Sequence, residues 1–311
     1  MKRYATIRET SPACASAAVA LGYFDGLHIG HAAVIGRAIA RAKEGMCACV
    51  FTFTMHTAHP QAKQEGSDLV TEEEKYRILE QWGVSLVLAP DFSEFRDMSP
   101  EEYVDEVLVK RLHAKAICCG HDFRFGRHAS AGVIELAALC DARGIEIDIV
   151  PAVKYEGKRI SSTWIRELIG RGEVDTAAKL LGRAFGYDFT VVPGKKLGRT
   201  IDSPTINQRL PNGFVAMRHG VYASASMAEG KWYPSVTNVG VRPTVEDSRA
   251  VNSETYLYGF SGDLYGKKVQ VRLLKFLRDE QRFASVDQLK EQIQRDTQDA
   301  LPYARTYITA L

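Results

Sequence analysis

The sequence contains Leu21-Gly22-Tyr23-Phe24-Asp25-Gly26-Leu27-His28-Ile29-Gly30-His31 where a short apolar run ends and a helical pattern begins. Glycines let the backbone adopt positive φ angles and approach a ligand closely. A helix that begins directly after such a turn presents unpaired N–H groups and the positive end of its dipole, and together these bind anions. The stretch therefore predicts a phosphate-binding loop at the carboxyl end of a buried strand.

The two histidines of this stretch, His28 and His31, flank Gly30 and can both reach a triphosphate held by the turn. As hydrogen-bond donors they would stabilise negative charge that grows on an α-phosphate and on departing pyrophosphate. The alternative is a pair of ordinary histidines near a turn. Their position after a buried strand, within Gly-x-Phe-Asp-Gly, favours the catalytic interpretation.

In the first half of the chain, short apolar runs alternate with helical patterns. The apolar runs predict buried strands over 19–21, 48–53, 86–89, 116–119 and 145–150. The helical patterns predict helices over 31–43, 72–81, 100–110, 133–142 and 163–181. This alternation indicates an α/β fold with a doubly wound parallel sheet, in which ligands bind at the carboxyl ends of the strands.

After residue 182 the pattern changes to β-rich runs that are separated by Gly, Pro and Asn. The runs lie at 189–192, 220–224, 236–239, 254–260 and 269–277, without helical patterns between them, and this indicates an antiparallel barrel. Ser285, with Gln288 three residues later, predicts the capped start of one closing helix.

The composition is that of a globular protein of 311 residues, long enough for two cores, with 45% hydrophobic and 25% charged residues. A formal net charge of +2 argues against a surface built to bind nucleic acid. The sequence offers neither a signal-peptide core nor an apolar window of about 18 residues that would span a membrane. Because the six cysteines form no Cys-x-x-Cys pair, we interpret them as free thiols of a cytoplasmic protein. The sequence does not indicate an oligomeric state.

Two further stretches fit the same site. Gly120-His121-Asp122-Phe123-Arg124-Phe125-Gly126 follows a predicted strand and is either part of the site or a turn with aromatic contacts. Ile160-Ser161-Ser162-Thr163-Trp164-Ile165-Arg166 places hydroxyls at a helix start, where they are normally caps. Arg166 could instead bridge phosphates through two hydrogen bonds.

These three stretches resemble the nucleotidyltransferase half of the prokaryotic bifunctional FAD synthetase family, in which riboflavin kinase and FMN adenylyltransferase share one chain. The resemblance implies a Rossmann-like nucleotidyltransferase fold. It also implies catalytic roles for His28, His31 and Arg166, and flavin contacts from His56, Asp122 and Phe123. The residues that it implies for ATP binding in this half are Gly22, Phe24, Asp25, Gly26, His28, Gly30, His31, Ser162, Thr163 and Arg166. The chain departs from the family at Met55-His56-Thr57, where the family has Pro-His-Pro.

The second half contains a different ordered series of motifs and no P-loop. The series is Gly198-Arg199, Pro204-Thr205-Ile206-Asn207, Gly240-Val241-Arg242-Pro243-Thr244, Glu254-Thr255 and Leu277-Arg278-Asp279-Glu280. It resembles the riboflavin kinase module of the same family, a Greek-key barrel that binds ATP and flavin. The chain has Asp202-Ser203 where the family has Gly-Phe.

This second resemblance implies that Gly198, Arg199, Thr205 and Asn207 bind ATP, and that Thr205 and Asn207 also hold Mg²⁺. Glu254 would accept the proton of the ribityl hydroxyl as that hydroxyl attacks the γ-phosphate. Arg242 and Arg278 would contact the flavin. In the first half the nucleophile would be the FMN phosphate, which is already ionised near neutral pH, so no general base is expected there.

The leading hypothesis is a two-step FAD synthesis that uses ATP and Mg²⁺ and forms FMN and then FAD. We expect an FMN adenylyltransferase domain over 1–183 and a riboflavin kinase domain over 184–311. One alternative keeps a single activity, most readily the adenylyltransferase if Asp202-Ser203 impairs the barrel. The other alternative is a flavin-binding regulator that retains both folds without turnover. Riboflavin, FMN and ATP are the expected partners, with neither nucleic acid nor a membrane.

Overall fold

The computed structural model describes residues 1–8, 15–42, 45–55, 68–194, 205–241 and 251–311. The chain forms two compact units. The first comprises the described parts of Met1–Glu65 and Lys75–Ser161, and the second those of Gly66–Glu74 and Ser162–Leu311. A short segment from the first half of the sequence thus belongs to the second unit.

A parallel six-stranded sheet forms the centre of the first unit, in the order β1-β4-β3-β2-β5-β6. Its strands are β1 (Lys2–Tyr4), β2 (Ala17–Leu21), β3 (Cys47–Phe51), β4 (Leu86–Leu88), β5 (Ala114–Gly120) and β6 (Glu146–Val150). The helices are α1 (Ile29–Ala42), α2 (Glu72–Trp82), α3 (Pro100–Glu102), which continues as π-helical turns over Tyr103–Arg111, and α4 (Val133–Asp141). A hairpin of β7 (Lys154–Tyr155) and β8 (Lys158–Arg159) follows.

The central strands of this sheet are apolar because both of their faces are covered. All five residues of β2 are buried, and α1 packs its Val34, Ile35 and Ala38 inwards. The chain leaves β2 towards β3 on one side and returns to β5 on the other side, so the strand order reverses next to β2. The predicted doubly wound sheet is confirmed. In sheets of this kind ligands bind where the strand order reverses, which here is next to the carboxyl end of β2.

The cysteines of β5 are neutral thiols. Burial raises the pKa of Cys118 and of Cys119 to about 12. The five cysteines in the described part of the chain are all free. They fill the core as small apolar side chains.

The second unit contains an antiparallel seven-stranded sheet in the order β10-β11-β14-β13-β12-β15-β9. Its strands are β9 (Phe185–Tyr187), β10 (Val191–Val192), β11 (Thr205–Arg209), β12 (Gly220–Ala228), β13 (Lys231–Val241), β14 (Val251–Leu257) and β15 (Gln270–Arg278). Three helices accompany it: α5 (Ser162–Gly170), α6 (Val174–Leu181) and α7 (Val286–Thr309).

The seven-stranded sheet curls until its two ends meet. Its end strands β9 and β10 are separated by only three residues, which span at most about 14 Å. Backbone hydrogen bonds join the ends: the Val191 N–H donates to the Lys267 carbonyl at 2.9 Å, and the Val269 N–H donates to the Phe189 carbonyl at 3.2 Å. The Gln208 side-chain amide also donates to the Phe189 carbonyl at 2.5 Å and to the Val269 carbonyl at 2.8 Å. The predicted antiparallel barrel is therefore confirmed.

The inner face of the barrel carries a buried chain of hydroxyl groups. The Ser224 Oγ lies 2.8 Å from the Ser235 Oγ and 2.8 Å from the Thr237 Oγ1. The chain extends from Ser235 to Ser226 at 2.9 Å and from Thr237 to Thr255 at 2.9 Å. Because each hydroxyl can both donate and accept, the five groups form one continuous hydrogen-bonded chain.

Helix α7 covers the outer face of β12 and β13. Its Ala300 packs with Val221, Ala223 and Val236. The helix begins as expected at Ser285, whose Oγ accepts a hydrogen bond from the Gln288 N–H. These contacts define the outer face as the one that carries the side chains of Val221, Ala223 and Val236.

The segment 68–74 is part of the second unit. The Asp68 N–H donates to the Gly213 carbonyl at 2.8 Å, and the Thr71 hydroxyl donates to Asp188 at 2.8 Å. Glu74 pairs with Arg272 at 2.6 Å, and the two side chains are 2% and 10% exposed. Removing only one partner of a buried ion pair of this kind destabilises the folded protein, because the other charge is left buried and unpaired.

Gly186 is expected to tolerate no side chain. A Cβ at this position would overlap the Val271 carbonyl oxygen and lie 3.0 Å from the Arg272 Cα, in the pairing of β9 with β15. Gly186→Ala should therefore destabilise the second unit by about 3 kcal/mol or more, as measured by thermal unfolding. Gly170→Ala is the matched control, since the nearest atom to its Cβ is 3.8 Å away. Equal melting temperatures for the two variants would contradict the packing described here.

Candidate active sites

The loop between β2 and α1 holds a strained backbone. The φ angles are +53° at Phe24, +77° at Gly26 and +46° at Leu27. Positive φ is costly for residues other than glycine and persists where the surroundings enforce it, often at ligand sites. The side chains of Phe24 and Leu27, only 3% and 0% exposed, enforce it by packing into the core. The buried Asp25 lies between them.

Two glycines make room for the rings of this loop. A Cβ on Gly22 would lie 2.9 Å from the Phe24 ring, and a Cβ on Gly30 would lie 3.0 Å from the His28 Cε1. Larger residues would push these rings away from their present positions. The glycines of the motif therefore serve to pack side chains as well as to allow backbone freedom.

His28 and His31 come together at the start of α1. Their rings stack with centroids 3.6 Å apart, and the His31 ring meets the Phe24 ring edge-on at 5.3 Å. The His31 N–H donates to the His28 Nδ1 at 3.2 Å. Because Nδ1 accepts, a neutral His28 carries its proton on Nε2, where it can donate to a phosphate oxygen.

Lys75 of α2 supports the same loop, and the sequence analysis missed it. Its Nζ donates to the Tyr23 carbonyl at 2.7 Å and to the Thr52 Oγ1 at 2.8 Å, and the Thr52 hydroxyl donates to the same carbonyl at 2.8 Å. The Tyr23 carbonyl directly precedes the strained Phe24. In the sequence Lys75 follows three glutamates, a pattern typical of a solvated helix face.

Aromatic side chains follow three neighbouring strands of the sheet. Tyr23 follows β2, Phe53 follows β3, and Phe92 follows β4. The Phe53 ring lies 4.9 Å from the Tyr23 ring and 5.3 Å from the Phe92 ring. Such ring faces can stack against a planar ligand.

The stretch after β5 contributes a carboxylate and a ring. Asp122 accepts a hydrogen bond from Arg159 of β8. Phe123 stacks on Phe125, with centroids 5.9 Å apart. Asp122 and Phe123 thus lie after the carboxyl end of β5, as expected from the strand predicted over 116–119.

Ser162, Thr163 and Arg166 lie at the start of α5, in the second unit. Ser162 and Arg166 are half-buried and Thr163 is exposed. Their side chains extend from the first turns of the helix, where the helix dipole favours an anion.

The barrel brings three predicted residues onto its outer face. Asn207 of β11 pairs directly with Glu254 of β14. Thr205 lies two residues before Asn207 on the same strand, and alternate residues of a strand share a face. A Cβ on Gly194 would lie 2.7 Å from the Asn207 Cγ, so glycine leaves the space that this amide occupies.

Comparison with known proteins assigns both halves of the chain. A family model described as FAD synthetase matches residues 11–164, and one described as riboflavin kinase matches residues 181–304. The chain is 33% identical to the bifunctional riboflavin kinase/FMN adenylyltransferase of Bacillus subtilis (strain 168) over 93% of both chains. It is 36% identical to the protein of the same name from Escherichia coli (strain K12) over 89% of both chains. The chain belongs to the bifunctional riboflavin kinase/FMN adenylyltransferase family.

A solved structure shares the fold of this bifunctional family member. It comes from Streptococcus pneumoniae, is named a macrolide-efflux protein, and matches with a TM-score of 0.84 at 30% identity. The match covers 96% of this chain and 97% of the other chain. Within the described ranges, this family member has no helix that is long and apolar enough to cross a membrane.

Arg278, which the family resemblance assigns to the flavin, makes structural contacts. Its guanidinium pairs with both carboxylate oxygens of Asp296 in α7, at 2.8 and 2.7 Å. It also lies 6.0 Å from the Phe283 ring. This ion pair connects α7 with the last residue of β15. A contact between Arg278 and the flavin stays a prediction.

Several predicted residues lie outside the described residues. These are His56, Gly198, Arg199 and Arg242, together with the family departures at Thr57 and Asp202-Ser203. In the ranges that are described, no group of three His, Cys, Asp or Glu side chains could hold a metal ion.

Replacing Lys75 is expected to loosen the phosphate loop. Lys75→Met removes a charge-assisted hydrogen bond to the Tyr23 carbonyl, and such bonds contribute about 1.5–3 kcal/mol. Amide hydrogen exchange over residues 22–28 should therefore accelerate about tenfold or more. Lys110→Met is the control, because Lys110 pairs with Glu106 on the surface of the same unit. Unchanged exchange in the Lys75 variant would rule out this support of the loop.

Proposed function

We propose that the chain makes FAD in two steps, each of which uses ATP. The barrel unit phosphorylates riboflavin to FMN, and the α/β unit adenylylates FMN and releases pyrophosphate. The observation that carries this proposal is the pairing of Asn207 with Glu254 on one face of a barrel, within a chain related along both halves to bifunctional enzymes. The stacked pair of His28 and His31 supports the second step.

In the adenylyl step, an FMN phosphate oxygen attacks the α-phosphorus of ATP, and the bond to pyrophosphate breaks. The nucleophile is ionised near neutral pH, so the site has to bind and orient charge rather than remove a proton. We assign this task to the loop of residues 22–31. By family resemblance alone, Ser162, Thr163 and Arg166 would also contact ATP. The Nε2–H of His28 would donate to oxygens on which charge develops.

The flavin of this step would lie along the aromatic side chains after β2, β3 and β4. Tyr23, Phe53 and Phe92 offer ring faces for an isoalloxazine. We also assign flavin contacts to Asp122, Phe123 and His56 by family resemblance. These contacts would orient the FMN phosphate towards ATP.

In the kinase step, the terminal ribityl hydroxyl attacks the γ-phosphorus of ATP, and ADP leaves. Glu254 would accept the hydroxyl proton as the new P–O bond forms. By resemblance, Gly198 and Arg199 would contact ATP, and Arg242 and Arg278 the flavin. The outer face of the barrel would then carry both the general base, Glu254, and the ATP-binding residues Thr205 and Asn207.

The residues at this face fit a magnesium ion. The Thr205 hydroxyl and the Asn207 amide oxygen are hard oxygen donors of the kind that Mg²⁺ accepts alongside substrate phosphates. When bound, Mg²⁺ neutralises charge on the phosphoryl groups. Thr205 and Asn207 would hold it, with their positions fixed by the pairing of β11 with β14.

We propose a boundary between the two activities at residues 183 and 184. The two family models leave room for a boundary near this point, because the first ends at residue 164 and the second begins at residue 181. The compact units divide earlier, between Ser161 and Ser162. The free thiols of the described chain fit a location in the cytoplasm.

Single substitutions are expected to separate the two activities. Glu254→Gln should slow FMN formation from riboflavin by about 10²- to 10⁴-fold, because the base is lost, while FAD formation from FMN continues. His28→Ala should slow FAD formation from FMN and leave riboflavin phosphorylation intact. Chromatographic separation of the flavins measures both steps, and each variant is the folding control for the other. A wild-type protein that makes neither FMN nor FAD would refute the proposed function.

Asn207→Ala is expected to weaken metal binding at the barrel site. The Mg²⁺ concentration for half-maximal FMN formation should rise about tenfold, in the range seen when a metal site loses one supporting group. Arg209→Ala, an exposed site two residues along β11, is the control. Binding of Mn²⁺ with ADP, followed by paramagnetic resonance, gives a readout independent of turnover. An unchanged Mn²⁺ affinity would exclude Asn207 as a ligand.

A further inference from the structure

Two side-chain amide oxygens in the barrel are buried without a hydrogen bond. They are the Oδ1 atoms of Asn238 and Asn252, and neither has a partner among the residues that the structure describes. Buried polar atoms in native proteins nearly always have partners, because an unmet acceptor is costly. A ligand that donates a hydrogen bond would satisfy such an atom.

Both asparagines lie beside Glu254 on the outer face of the barrel. Asn238 of β13 pairs directly with Glu254, on the side opposite to Asn207. Asn252 lies two residues before Glu254 on β14, so the two side chains share a face. The row Asn207–Glu254–Asn238 therefore crosses three strands, with Asn252 next to it.

Glu280 fixes which end of the Asn238 amide points to this row. The Asn238 Nδ2 donates to the Glu280 Oε1 at 3.3 Å. The reverse orientation would set an amide oxygen against a carboxylate, so the hydrogen bond selects the observed one. The carboxylate fits there because Gly240 has no side chain: a Cβ on Gly240 would lie 2.8 Å from the Glu280 Cδ.

The chemistry of this face favours a ligand with several donors in a row. Glu254, Asn238 and Asn252 all present oxygen acceptors, and phosphate groups offer no hydrogens to them. The ribityl chain of riboflavin carries hydroxyls on consecutive carbons, and one of these is the group to be phosphorylated. A hydroxyl that approaches Glu254 would bring its neighbours beside the two amides.

We propose that Asn238 and Asn252 accept hydrogen bonds from ribityl hydroxyls and so align the reacting hydroxyl with Glu254. Glu280 is a positioning residue that acts through Asn238. The proposal rests on the proposed kinase function. It assigns recognition of the polyol chain to β13 and β14, apart from recognition of the flavin ring.

Steady-state kinetics of riboflavin phosphorylation with Asn238→Ala, Asn252→Ala and Glu280→Ala tests this assignment. Each variant should raise the KM for riboflavin about 3- to 10-fold, as expected for one lost hydrogen bond, and leave the KM for ATP within about twofold. Inhibition by lumiflavin, which has the ring but no ribityl chain, should be unchanged. Glu280 is exposed, so its variant should fold even if a change in a strand does not.

Thr237→Val is the matched control. Thr237 precedes Asn238 on β13 but faces the buried hydroxyl chain. It should lower the melting temperature of the barrel without changing the KM for riboflavin. Glu280→Gln keeps an acceptor for the Asn238 amide and should restore the KM that Glu280→Ala raises.

The outcomes separate this inference from the function on which it rests. If the wild type makes FMN and the asparagine variants keep the KM for riboflavin, the assignment is wrong. If lumiflavin inhibition weakens as much as riboflavin binding, the amides do not recognise the ribityl chain and the assignment is also wrong. If the wild type makes no FMN, the proposed kinase function is wrong. The assignment is then tested by fluorescence titration: the asparagine variants should bind riboflavin more weakly than the wild type does, and lumiflavin equally well.

Discussion

The register of β14 against β11 and β13 is the constraint on which the barrel site depends. Successive residues of a strand face opposite sides, so a shift by one residue would turn Glu254 and its neighbours inwards. The buried hydroxyl chain on the other side opposes such a shift. Thr237 and Thr255 are directly paired and hydrogen-bonded, and each is the chain neighbour of an outer-face residue. The polar interior therefore adds stability to the register that keeps Glu254 on the outer face.

The first unit fixes its site by a different means. Its loop needs backbone angles that Phe24 and Leu27 would not adopt on their own, and the surrounding packing holds them there. Lys75 adds a charged hydrogen bond at the carbonyl that enters the strained turn. Buried apolar side chains and the Lys75 hydrogen bond thus hold the loop together. The loop leads into α1, where the rings of His28 and His31 stack.

Periodicity in the sequence predicted both folds because buried parallel strands and their helices leave strong local patterns. Strand β11 was not predicted, since Thr205 to Arg209 is a polar run that becomes a strand only by pairing with β14. Strand β1 was missed for a similar reason, as three residues carry too little pattern. The loop motif predicted the two histidines, whose signal is local. Lys75, Asn238 and Asn252 could not be found this way, because their roles depend on contacts between distant parts of the chain.

The ion pair of Glu74 with Arg272 bears on how this polypeptide can be divided. The sequence suggests two modules, one after the other. The barrel unit nevertheless includes a segment, residues 68–74, that lies between strands of the other unit in the sequence. A single cut near residue 183 would give a C-terminal fragment in which Arg272 lacks its carboxylate partner. Leaving such a charge unpaired costs about 3–5 kcal/mol, a large part of the stability of a small domain. The two modules act one after the other, but each folded unit contains residues from both halves of the sequence division at residue 74. Two separate proteins would therefore need another carboxylate in the barrel unit to pair with Arg272.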